Sequence, residues 1–187
     1  MSSIPGRSAS ALLVIDVQTG VVANAHKRDE TIANIQELVN GARRHHVPVI
    51  WVQHSDEGMP IGSADWQLVD ELSPQAQEPL VRKEFRSSFE GTDLESLLAE
   101  RRVGHLVVSG AQSEFCVRHT ITAALERGYD VTLVADAHTT EDTSWDGREL
   151  PAQDIIDDQN RACWQYELPG RSCTLTTTED AFAAVSL

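Results

Sequence analysis

The run LVVSGAQSEFCVRHTITAALERG, residues 106–128, changes character part-way along. Its apolar start suits a buried strand. Gly110 and Ala111 break the run, and a helix is expected to restart near Ser113 and to end at Gly128 as a left-handed cap. Cys116 falls in the first turn of that helix. The first N–H groups of a helix lack partners and favour negative charge, so a thiol there is expected to ionise more easily than a free one. The competing reading is a small buried hydrophobe, the common fate of a free cysteine.

Working outward, the same alternation recurs. Residues 10–17 (SALLVIDV) form a continuous apolar run ending in Asp16, which predicts a strand buried on both faces. Asp29 is expected to cap a helix with Ile32, Ile35, Leu38, Val39 and Ala42 at helical spacing. Residues 48–53 (PVIWVQ) read as a second strand and 79–83 (PLVRK) as a short third. Thr92 and Glu95 suggest a capping box for a helix carrying Leu94, Leu97 and Leu98. Residues 105–109 and 130–135 give the fourth and fifth strands. Pro151 opens a helix, 172–176 form a short sixth strand, and Thr178 caps a short terminal helix. Two long polar connections, 54–78 and 136–150, interrupt the pattern; such loops are usually functional or disordered.

The pattern predicts one α/β domain over residues 1–187: a three-layer, doubly wound sandwich with a six-stranded, mainly parallel sheet in the order 3-2-1-4-5-6 and helices on both faces. In that order strands one and four are neighbours at the switch point, where ligands bind beyond the carboxyl ends of the strands. Asp16 and Cys116 are thereby brought together.

Composition narrows the partners. Net charge is −14, from 29 acidic and 15 basic residues, which disfavours nucleic acid and anionic membranes. No apolar run approaches the ~18 residues of a membrane span, and the N-terminus lacks the apolar core of a secretory signal. The three cysteines, Cys116, Cys163 and Cys173, include no CxxC. A disulfide framework is not expected, Cys163 and Cys173 read as structural, and a reducing cytoplasm fits best.

Only two lysines occur, Lys27 and Lys83. Lys83 ends the third strand. It is either a solvated rim cation or a positive charge beside Asp16 and Cys116, where it would hold a thiolate. Asp16 is either a loop carboxylate or a base whose pKa partial burial raises. The link from Gly110 to Ser113 could aim backbone N–H groups, with that of Cys116, at an oxyanion. If Ser113 capped the helix, its hydroxyl would compete for one of them.

These residues resemble the isochorismatase-like cysteine hydrolases: Asp16 in LLVIDVQTG, Lys83 in VRKEFRSSF and Cys116 in VVSGAQSEFCVRHT. The resemblance extends through GYDVTLVADAHTT to the end of the chain. It implies an Asp16–Lys83–Cys116 triad and a non-proline cis peptide at Ala111–Gln112. The Gln112 and Cys116 N–H groups would then form the oxyanion hole. Many family members have Thr-Asp where this chain has Ser113-Glu114, so Glu114 is expected to be structural. Nicotinamidases are similar but carry an Asp-x-His pair and a further histidine for a metal. Here VQHSDEGMP offers only His54 and Asp56, so no metal and no cofactor is expected. True isochorismatases generally lack the cysteine, so Cys116 points to an amidase.

The expected activity is hydrolysis of a C–N bond in a small carboxamide or ureide through a thioester. The alternatives are vinyl ether hydrolysis of the isochorismatase type and a non-hydrolytic thiol redox protein. Gln18, His54, Trp66, Phe89 and Ala111 are candidate substrate contacts; for the aromatics, packing over the core is the competing role. His119 lies one turn from Cys116 and is not assigned as a base. A homo-oligomer, dimer or larger, is what the resemblance implies.

Overall fold

The computed structural model describes residues 2–183. In chain order the elements are β1 (Ala9–Ile15), α1 (Arg28–Arg44), β2 (Val49–His54), β3 (Leu80–Lys83), α2 (Leu94–Glu100) and β4 (Val103–Ala111). A π-helical turn, Ser113–Val117, leads into α3 (Arg118–Arg127). Then follow β5 (Asp130–Thr139), β6 (Thr143–Trp145), β7 (Arg148–Leu150), α4 (Ala152–Trp164), β8 (Glu167–Leu168) and β9 (Arg171–Thr176).

The main sheet runs β3-β2-β1-β4-β5-β9-β8. It contains the expected order, with β9 as the sixth strand. Every pair is parallel except β8–β9, an antiparallel addition at one edge. The apolar runs explain the centre: Ala11 to Ile15 on β1 and Ile50 to Val52 on β2 are fully buried, as strands covered on both faces must be. One face packs Leu12, Val14, Trp51 and Val107 against Ile32, Ile35, Leu38 and Val39 of α1. The other packs Leu13, Ile15, Val81 and Val108 against Leu94 and Leu98 of α2 and Ile121 and Leu125 of α3.

The long connection 54–78 is ordered and supplies core. Val69 and Leu72 from it are buried against the α1 face, and a bridge between Gln18 and Leu68 ties it to the end of β1. The connection 136–150 continues β5 and then forms the separate β6–β7 hairpin.

Local predictions at helix ends fare worse. Asp29 lies inside the first turn of α1, whose cap position is the left-handed Lys27. At α2 the Thr92 hydroxyl accepts from the Leu94 N–H at 3.3 Å, but the capping box does not close: Glu95 instead accepts from Arg7 and the Tyr129 hydroxyl. Glu95 found its partners across the fold, whereas Asp29 pairs with its chain neighbour Arg28. Residues 178–183 form turns rather than a helix, and the remainder of that expected helix lies outside the described residues. Contrary to the reading of the cysteines, Cys163 and Cys173 form a disulfide that joins the end of α4 to β9, with Cα atoms 5.2 Å apart. The helix-to-strand return that brings them together leaves no mark in cysteine spacing. Cysteine usage therefore gives no support to a reducing compartment. No described helix is long and apolar enough to cross a membrane.

Candidate active site

Three charged or ionisable side chains meet at the carboxyl ends of β1, β3 and β4. Asp16 directly follows β1 with φ 49°, a left-handed conformation that aspartate tolerates better than most residues. It breaks the alternation of the strand, so its side chain is not obliged to follow Val14 toward α1. Lys83 is the last residue of β3 and shares the buried face with Val81, whereas Leu80 and Arg82 point outward. Although β3 is an edge strand, the lysine is only 2% exposed, its stem running inward over the sheet. Its Nζ lies 2.6 Å from Asp16 Oδ2 and donates to Cys116 Sγ at 3.2 Å.

Close approach of β1 and β4 depends on Gly110. Its φ is 118°, and a Cβ there would sit 2.0 Å from the Ile15 carbonyl oxygen. Only glycine accepts both the conformation and the contact. The Ala111–Gln112 peptide that follows is cis.

Cys116 sits in the π-helical turn ahead of α3 rather than in the first turn of an α-helix. The Gln112 carbonyl accepts from the N–H groups of Phe115 and Val117. Ser113 does not cap. Its hydroxyl bonds to His138 Nδ1 at 2.8 Å, and His138 Nε2 meets Asn160 Oδ1 at 3.0 Å. Burial lowers the His138 pKa against the opposing effects of Asn160 and Asp136, so the ring is neutral, protonated on Nε2 and accepting on Nδ1. Neither His138 nor Asn160 stood out in the sequence: each acts through a hydrogen bond to a residue over twenty positions away, and nothing local announces it.

The electrostatics revise one expectation. Burial pushes the Cys116 thiol up to about 12; Asp16 adds to this and Lys83 opposes it. Asp16 is also raised, by desolvation against the pull of Lys83, Cys116 and His54. One buried ammonium supports one negative charge, and the site resists a second. Burial and Asp16 both favour a protonated resting thiol over the preformed thiolate expected from a helix N-terminus. What the geometry offers is a neutral thiol, a carboxylate to receive its proton and a cation to balance the charge.

The other candidates divide. The Gln18 amide is fully buried, donating to the carbonyls of His54 and Trp66 and accepting from the His54 N–H. It holds the 54–78 connection against β1, as a structural clamp. His54 ends β2 opposite Lys83 and pairs with Asp56 at 3.3 Å, close enough to Asp16 to influence it. Among the described residues no group of three or more His, Cys, Asp or Glu is placed to hold a metal ion. Trp66 is buried, its carbonyl taken by Gln18 and Gln53, with the Arg82 guanidinium 5.7 Å from its ring. Phe89 is not brought to the site. It packs on Tyr129 under Arg127, at the far end of α3 from Cys116. Ala111 is buried against the α1 face. Phe85 and Trp145 are exposed. His119 is exposed and bonded to the Phe115 carbonyl.

Comparison with known proteins shows the family. Residues 10–149 match the Isochorismatase domain, and the chain belongs to the isochorismatase family. It is 29% identical over 179 residues to the uncharacterized isochorismatase family protein YddQ of Bacillus subtilis (strain 168), covering 91% of this chain and 97% of that one. A streptothricin hydrolase of Streptomyces noursei is 34% identical over 142 residues, 73% of this chain and 56% of that protein, so the chain spans little more than half of it. The crystal structure of an isochorismatase from Pseudomonas putida KT2440 has a TM-score of 0.84 at 26% identity, covering 91% of this chain and 89% of that one. Family and relatives together make this chain a hydrolase.

Proposed function

We propose that the protein hydrolyses the C–N bond of a small carboxamide or ureide through a Cys116 thioester, in steps that call on no cofactor. The observation that carries this is the buried Lys83 ammonium, in contact with both the Asp16 carboxylate and the Cys116 thiol. As the sulfur attacks the carbonyl carbon, its proton passes to Asp16. Lys83 remains charged and balances the anion, wherever it resides. The backbone N–H groups of Gln112 and Cys116 receive the oxyanion. Collapse breaks the C–N bond, Asp16 returns the proton to the leaving nitrogen, and a thioester remains. Water, deprotonated by Asp16, attacks the thioester and releases the acid, and the sulfur regains its proton. A thiol that ionises only during attack suits an amide, whose departure needs that same proton.

We further propose that the working form is a homo-oligomer. Trp164 and Leu175, at 69% and 38% exposure, are large apolar side chains for which a second copy would provide cover.

The test is ammonia release across carboxamides, ureides and N-carbamoyl amino acids. Cys116→Ala is expected to bind the active substrate and to lose about 10³-fold or more in turnover, because the three groups act as a unit. Substantial residual turnover by that variant would sink the mechanism.

A further inference from the structure

A chain of hydrogen bonds runs from the nucleophile turn through β5 to α4. Ser113, which opens the turn, is fully buried, and His138 is 2% exposed. His138 lies near the end of β5, paired with Gly110 of β4. The register slips between Val108 and Gly110, opposite Leu133 and His138, and this brings the imidazole beside the turn.

The direction of each proton follows from the far end of the chain. The Ala135 carbonyl can only accept, and it takes the Asn160 Nδ2–H at 3.4 Å. That turns Asn160 Oδ1 to the ring, where it meets His138 Nε2 at 3.0 Å. An amide oxygen also only accepts, so Nε2 carries the ring proton. Nδ1 is then the acceptor, and the Ser113 hydroxyl 2.8 Å away donates to it.

This donation decides a competition at the nucleophile. A serine placed like Ser113 ordinarily caps the helix that follows, its oxygen taking the N–H two or three residues on. Here those belong to Phe115 and Cys116. The Phe115 N–H is held by the Gln112 carbonyl. The Cys116 N–H is the one a capping Ser113 would claim, and it is also the donor that the mechanism gives to the oxyanion. The turn has no side-chain cap, because the Ser113 oxygen is held against His138 and occupies one rotamer at a time.

We propose that His138 is a positioning residue for the oxyanion site: by taking the Ser113 proton it keeps the Ser113 oxygen off the Cys116 N–H, and Asn160 fixes the ring for that task. The inference rests on the hydrolase reading above. His138 does not touch the reacting atoms; it acts through Ser113.

The test compares two replacements of the ring. An asparagine oxygen can stand where Nδ1 stands, whereas glutamine reaches toward Asn160 and leaves Ser113 without its acceptor. On an amide or ureide that the wild-type protein hydrolyses, His138→Gln is expected to lose at least tenfold in kcat per folded protein, with KM within about twofold, because the impaired donor acts in the transition state. His138→Asn is expected to keep kcat within about threefold of wild type. Adding Ser113→Ala to His138→Gln should restore most of the loss, since the competing oxygen is gone, whereas a packing role alone makes the double variant the worst of the set. Wild-type kcat in His138→Gln, or a double variant no faster than His138→Gln, overturns the positioning role and leaves the hydrolase intact. Two further measurements hold if His138→Gln does not fold. Nitrogen-15 spectra of histidine-labelled wild-type protein at pH 7 are expected to show His138 protonated on Nε2; protonation on Nδ1 overturns the hydrogen-bond order whatever the activity. Asn160→Leu leaves the ring in place and frees its far end, so it is expected to mix the two tautomers and lower kcat about threefold; mixed tautomers with wild-type kcat overturn the role. Absence of turnover by wild-type protein on every amide and ureide removes the hydrolase reading, and the positioning role falls with it even if the tautomer is as expected.

Discussion

Lys83 is a single ammonium serving two groups that both hold protons more tightly than usual. Burial raises Asp16 and pushes Cys116 up to about 12, so only a small fraction of the sulfur is thiolate at neutral pH. Iodoacetamide labelling of Cys116 in the free enzyme is therefore expected to be slow at pH 7. It should climb about tenfold per pH unit with no plateau below pH 10, because the reactive species is the thiolate. A plateau near pH 7 would mean that the thiolate is preformed. Lys83→Met removes the one cation that opposes the upward shift. It should move the labelling curve to still higher pH and lower turnover by about 10³-fold. Asp16, Lys83 and Cys116 were all legible in the sequence, since each ends or follows an apolar run and Lys83 is one of only two lysines. The protonation state was not, because it depends on how deeply the three are buried together. Gln18 shows the same limit: its position two residues beyond Asp16 suggested a substrate contact, but its amide is fully occupied by backbone.

Between elements, the approach of β4 to β1 is governed by main chain. Gly110→Ala would place a methyl group in the Ile15 backbone at a φ of 118°. It is expected to cost about 3 kcal/mol in thermal or chemical denaturation and to abolish turnover in whatever folded protein remains, because Asp16 and Cys116 hang on the two strands it would separate. Wild-type stability in that variant would contradict the contact. A second clamp joins α1 to β2. Glu78 accepts from Arg43 at 2.8 and 2.9 Å, from Trp51 Nε1 at 2.8 Å and from the Gln75 N–H at 2.9 Å. Burial alone would raise its pKa, but these donors outweigh burial and lower it. A carboxyl lowered by folding adds stability that is fully present above its unfolded value and is lost as pH falls below it, here from about 4.5 downward. Glu78→Gln should reduce stability by about 2 kcal/mol at pH 7 and flatten the loss below pH 4.5. An unchanged acid limb would show that other carboxylates dominate. Strands and the apolar stripe of α1 were readable because periodicity is local. The caps were not: Glu95 took Arg7 and Tyr129 as partners once those distant residues were brought to it, and Asp29 paired with its neighbour Arg28 inside the first turn.

For the whole molecule, the parallel order follows from alternating apolar runs and the handedness of crossovers, and it is what sets residue 16 beside residue 116. The sequence could not show the antiparallel β8, the β6–β7 hairpin or the Cys163–Cys173 bond, because all three arise from where the chain turns back after α4 and β5. The bond makes a closed ring of the residues from Cys163 to Cys173, which include the Pro169–Gly170 turn. A protease that nicks this turn would leave one band on a non-reducing gel and two after a reductant is added. Titration of unfolded, unreduced protein should find one free thiol, that of Cys116. Immediate separation without reductant, or three thiols, would contradict the bond. The feature also has a biochemical consequence: with two of the three cysteine sulfurs locked together, a thiol-directed oxidant has one thiol to attack in this protein, and it is the proposed nucleophile, Cys116. Oxidation of Cys116 to the sulfenic acid should then find no second thiol in the chain to condense with it into a disulfide.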